Sequence, residues 1–131
     1  MNGAHFSFTT TAFVDSAEAV AERVNAEIGG HALATWLAGA LREAGIQAGE
    51  PWVEDHGWDF DIRDGTRLYL CACAIEEDGA ASREGHVSVD LHRSMADRLL
   101  GRNTLAPDDR VVGRVREILG SAPGIARLAK D

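Results

Sequence analysis

The ten residues from Arg67 to Glu76, Arg-Leu-Tyr-Leu-Cys-Ala-Cys-Ala-Ile-Glu, constrain this chain more than any other stretch. They follow Asp64-Gly65, a two-residue hairpin signal, and make the longest apolar run of the chain. As a strand they are apolar on both sides: Leu68, Leu70, Ala72 and Ala74 oppose Tyr69, Cys71, Cys73 and Ile75. A strand of this kind belongs in the middle of a sheet, with something over each face.

The neighbouring segments fit around it. Upstream, Pro51 to Asp55 and Trp58 to Arg63 read as strands, with Gly57 as a tight turn or bulge between them. Downstream, Val87, Val89 and Leu91 alternate with polar residues after a loop from Glu77 to Gly85. His5 to Val14 is rich in aromatic and β-branched residues and reads as a first strand. Asp15 and Glu18 have the spacing of a capping box, which opens a helix through Ile28. After Gly29-Gly30, Leu33, Trp36, Leu37, Ala40 and Leu41 form the stripe of a second helix closed by Gly45, with Ile46 placed to pack back on its last turn. Ser94 to Leu100 reads as a short helix, and Pro107-Asp108-Asp109 opens another that carries Val111, Val112, Val115, Ile118 and Leu119 to Gly120. Pro123 is expected to start a last short helix through Ile125 and Leu128. The order predicts one α+β domain over 1–131, a mostly antiparallel sheet with helices packed on one face.

Charge narrows the partners. The net charge is −8, and between Glu50 and Arg93 eleven acids stand against four arginines, so the middle third carries nearly all of it. Such a field repels phosphate backbones and favours cationic partners, which argues against nucleic acid. Cys71 and Cys73, one residue apart in an apolar run, are badly placed to bond each other and suit a reduced, cytoplasmic protein. No leader and no apolar run of membrane-spanning length is seen, so a membrane is not expected.

Candidate site residues concentrate in Glu50–Ile62, which holds two of the three tryptophans and five acids. Alternation sends Trp58, Phe60 and Ile62 to the core and Asp59 and Asp61 to the other face. Trp52, Glu54, Asp55, His56, Asp59 and Asp61 are therefore the predicted binding residues, with Trp52 as an exposed aromatic anchor on an edge strand. Acid–base chemistry through Glu54, Asp55 and His56 competes with this reading, but neighbours on a strand point opposite ways, which separates Asp55 from His56. A turn in which His56 stacks on Trp52 or Trp58 explains the same residues without chemistry. The cysteines read as two small buried residues and not as reactive thiols. No nucleophile elbow, phosphate loop or HExxH motif occurs, so no catalytic residue and no cofactor is assigned. A divalent metal held by Asp90 and His92, with Asp59, Asp61, His86 or a cysteine in reach, is the alternative, against a merely solvated polar face.

Leu33, Leu37, Leu41, Gly45, Glu54, Asp55, Gly57 and Trp58 together resemble a pattern of small uncharacterised bacterial α/β proteins, in which a Gly-ended helix precedes an acidic E-D-x-G-W segment and a strand meander. The resemblance covers about the middle half of the chain and implies a fold more than a function. His56 falls on its variable position, so no catalytic role comes with it. The sequence thus predicts a non-enzymatic, immunity-protein-like binding module for a basic protein, expected as a homodimer, with the second sheet face covered by that contact or lining a ligand cleft. A small metal-binding enzyme on that open face is the other reading.

Overall fold

The computed structural model describes residues 2–131 and has eight strands and four helices. The strands are β1 (Gly3–Thr10), β2 (Ile28–Gly29), β3 (Gln47–Ala48), β4 (Trp52–Glu54), β5 (Gly57–Asp64), β6 (Arg67–Glu76), β7 (Arg83–Leu91) and β8 (Ile125–Lys130). The helices are α1 (Ala17–Glu22), α2 (His31–Glu43), α3 (Met95–Leu100) and α4 (Arg110–Ser121). All described strands pair antiparallel in one open sheet of order β3-β5-β6-β7-β1-β8, with β4 on the outer side of β5 and β2 on β6. This is the α+β architecture that the sequence predicts.

Strand β6 lies between β5 and β7, as its two-sided apolar pattern requires. One side of the sheet, made by Phe6, Phe8, Phe60, Ile62, Cys71, Cys73, Ile75, Val87 and Val89, is buried against Leu33, Leu37 and Leu41 of α2 and Val111, Val115 and Leu119 of α4. Both cysteines are buried and free, and burial pushes the Cys71 thiol well above its ordinary pKa. The other side carries no helix, so Leu68, Ala72 and Ala74 are half-buried and Leu70 is 37% exposed.

Helix α2 ends as the sequence indicates. Gly45 takes φ +84°, its N–H donates to the Arg42 carbonyl, and Ile46 N–H donates to the Leu41 carbonyl while its side chain enters the core. This is a Schellman closure, and the left-handed residue is one that glycine occupies without strain.

The start of α2 departs from expectation. Asp15 does not cap α1; Ser16 does, accepting from Ala19 N at 3.1 Å. The Asp15 carboxylate instead accepts from Gly30 N at 3.2 Å and Ala32 N at 2.8 Å, capping α2 from seventeen residues away, and pairs with the buried Arg23 at 3.2 Å. Burial alone would raise its pKa, but the two backbone donors and Arg23 outweigh it and hold the carboxyl below its usual value. Arg23 is drawn back to this site and to the Ala26 carbonyl, and α1 stops at Glu22. Ile28 and Gly29, expected in a helix and a break, become a strand on β6.

Helix α4 is anchored in the same way. Asp109 caps it through Val112 N at 3.0 Å, and its other oxygen accepts from the Tyr69 hydroxyl at 2.7 Å and from Arg67 at 3.3 Å, both on β6. Burial and this bond push the Tyr69 pKa up to about 12.

The end of the chain corrects the sequence reading. Gly120 does not end α4, which runs to Ser121, and residues after Pro123 form no helix but the strand β8 on the free edge of β1. Ile125 and Leu128, three apart, suit a helical stripe. Here a bulge, with Arg127 at φ +55°, lets both lie against the core.

Replacing Asp15 by Ala should therefore cost about 3 kcal/mol in urea denaturation, because it strands the buried Arg23 and uncaps α2. Glu18→Ala, at the position the sequence pairs with Asp15, should cost less than about 0.5 kcal/mol.

Candidate functional site

Strand register fixes what the open face presents. Asp59, Ala72, Ser88 and His5 lie in one cross-strand row, and Asp61, Leu70, Asp90 and Gly3 in the next. Trp52 stands across from Asp59, so the tryptophan and Glu54 join the same face from the edge. The result is an apolar strip along β6, Leu68 to Ala74, with carboxylates on β5 to one side and on β7 to the other.

The hairpin that joins β4 to β5 turns on Asp55 and His56. Trp52 pairs with Asp59, Val53 with Trp58 and Glu54 with Gly57, which leaves only those two residues in the turn. Gly57 has φ +136°, and a Cβ there would come within 2.2 Å of the Cys73 carbonyl oxygen, so only glycine fits.

This overturns the expectation that Asp55 and His56 point apart. They are turn residues, not strand residues, and His56 Nδ1 lies 3.3 Å from Asp55 while Nε2 reaches both oxygens of Asp59 at 2.8 and 3.0 Å. His56 stacks on neither tryptophan; it is His31 of α2 that meets Trp58 edge-on at 4.6 Å. Trp58 is a core residue, and Trp36 packs at the core margin against Phe13.

Among the described residues three aspartates are buried: Asp15, Asp59 and Asp109. The first and last accept helix N–H groups. Asp59 is only 3% exposed, and its hydrogen-bond partner is the ring of His56, itself half in solvent. Burial raises the Asp59 pKa, and the histidine opposes this without reversing it. For His56 burial disfavours the charged ring, but Asp59 and then Asp55 outweigh it and raise its pKa. Trp52 is 39% exposed and donates from Nε1 to Glu54 at 3.2 Å, which fixes the indole beside this pair. The six predicted binding residues therefore do share one hairpin and one face, with Asp61 exposed further along β5.

A groove of about 540 Å³ opens where this face meets β3, between Ala48, Asp61, Arg63, Leu68, Leu70 and His92. Among the described residues no group of three ligand atoms converges around Asp90 and His92. Among the described residues the set whose ligand atoms converge is Glu76, Glu84 and His86, near the other end of β6 and β7. Sequence reasoning placed His86 on the polar face, but it did not find Glu76, Glu84 or His5. The parity of His5 between Ala4 and Phe6 is the signal that puts it there.

Among the described residues no helix is long and apolar enough to cross a membrane. Comparison of the chain with protein-family models, curated proteins and solved structures finds no match.

The His56–Asp59 pair predicts a pH dependence. A histidine with a raised folded pKa contributes fully below its unfolded value of about 6.5 and loses that contribution as pH rises through the folded value. Asp59, also raised, contributes in the same direction at acid pH and is a buried charge above it. Stability should thus fall as pH rises from about 6.5, and denaturant midpoints of the His56→Gln protein should lack this fall.

Proposed function

We propose that the open face of the sheet recognises a positively charged surface of another protein, in the manner of an immunity protein that neutralises a basic partner. The observation that carries the reading is an uncovered apolar strip, Leu68 to Ala74, bordered by Asp59 and Asp61 on β5 and Asp90 on β7. Apolar area framed by charge is the composition of a recognition patch, and Trp52 supplies an aromatic anchor at its edge. The groove beside Leu68 and Leu70 suits the aliphatic stem of an arginine or lysine whose head reaches Asp61. Arg63 gives that groove mixed charge, so the attraction comes from the face as a whole.

The alternative occupant is a second copy of this chain. A two-fold contact through this face would set carboxylates near carboxylates, a cost that a cationic partner avoids. The role is non-enzymatic and intracellular in this reading, and the bacterial E-D-x-G-W resemblance is compatible with it.

The product of a gene adjacent to the one encoding this chain, where basic, is the partner to assay by calorimetry with the purified chain. A one-to-one complex is expected, at least about tenfold weaker for the Glu54→Lys/Asp61→Lys protein and weaker in high salt. Equal binding by that charge-reversed protein, with its melting temperature unchanged, sinks the proposal.

A further inference from the structure

At the end of the open face away from Asp61, five side chains form a continuous chain across three strands. Asp131 Oδ2 lies 2.6 Å from His5 Nδ1, and His5 Nε2 lies 3.2 Å from His86 Nδ1. The two ring planes are nearly parallel, 17° apart, with 5.3 Å between centroids. His86 Nε2 then faces Glu76 Oε2 at 3.1 Å and Glu84 Oε1 at 3.4 Å.

The ligand atoms of Glu76, Glu84 and His86 all lie within 4.8 Å of one another. His86 turns Nε2 to the two glutamates and Nδ1 to His5, so one ring nitrogen faces the carboxylates while the other is held from a neighbouring strand.

We propose that Glu76, Glu84 and His86 bind a divalent transition-metal ion of the zinc type, with His5 and Asp131 as positioning residues. The distances suit this. Ligand atoms about 2.0–2.1 Å from a tetrahedral ion stand about 3.3 Å apart, close to the 3.1 and 3.4 Å that separate His86 Nε2 from its two neighbours. A metal-bound imidazole needs its other nitrogen to donate, and the His5–Asp131 relay accepts that proton and fixes the ring. The nitrogen ligand selects zinc, nickel or copper over magnesium and calcium. The ligands stand on β6 and β7 and the relay begins on β1, paired strands that hold them in register. Three protein ligands leave a fourth position for water or for a group from a partner.

The test is calorimetric titration of the chelator-treated full chain with zinc ion near neutral pH. One ion per chain is expected, bound at least about tenfold more weakly by the Glu84→Gln and His86→Gln proteins and about tenfold more weakly by His5→Gln. Asp61→Asn should bind as the parent does. Absence of saturable uptake, or uptake that Glu84→Gln and His86→Gln leave unchanged, overturns the proposal. Glu84 is exposed, so its variant decides the matter even if His86→Gln does not fold. A loss of protein binding in the charge-reversed variant leaves this site untouched, so the two proposals fail separately.

Discussion

Two buried carboxylates hold the covering helices on one side of the sheet. Asp15 closes the start of α2 while gripping Arg23, and Asp109 closes the start of α4 while accepting from Tyr69 and Arg67 on β6. Each places a negative charge where the helix offers unpaired N–H groups and a positive dipole end, which offsets the cost of burying it. Arg23 also approaches Glu77, and Glu77 binds Arg83, whose guanidinium donates to the carbonyls of Ala12 and Phe13. The long excursion between β1 and α2 is thereby strapped to the sheet. With both long helices committed to one face, the other face has no local element left to cover it.

The chemistry of that bare face follows from its alternation. Phe60, Cys71 and Val89 turn to the helices, so Asp59, Asp61, Ser88 and Asp90 must turn away. Asp59 is the exception among the buried aspartates because no backbone donor meets it, only a ring anchored in a two-residue turn. A buried acid with an exposed histidine as its partner is poorly stabilised for the fold alone, which is why this hairpin is the strongest functional candidate. The acidic groups are arranged differently at the two ends of the face. Beside Trp52 they border apolar surface suited to another protein. Around His86 they converge on a point, which suits an ion.

Much of the frame was legible in the sequence because it depends on local rules. Asp64-Gly65, the two-sided apolar run and the alternation in Trp58–Ile62 specify β5 and β6, and the Leu33–Leu41 stripe with Gly45 specifies α2. The failures were non-local. Nothing near Asp15 indicates that its oxygens reach Gly30 and Ala32, and Glu18 offered a nearer partner for a capping box. Residues 123–130 have a spacing that suits helix or strand, and only the unpaired edge of β1 decides between them. Asp55, which the pattern assigns to the end of the first strand, instead shares a two-residue turn with His56, because β4 stops at Glu54. His5, His86 and Asp131 meet across 126 positions of chain.

The most direct measurement of whether this face is free to receive a different protein is carboxyl-specific labelling of the isolated chain across a concentration series, read by mass spectrometry. Asp61 and Asp90 should label as fast as the exposed Glu50 at every concentration, while Asp59 stays slow. Protection of Asp61 and Asp90 that grows with concentration would show the chain covering its own face, and would contradict a surface kept open for a cationic partner.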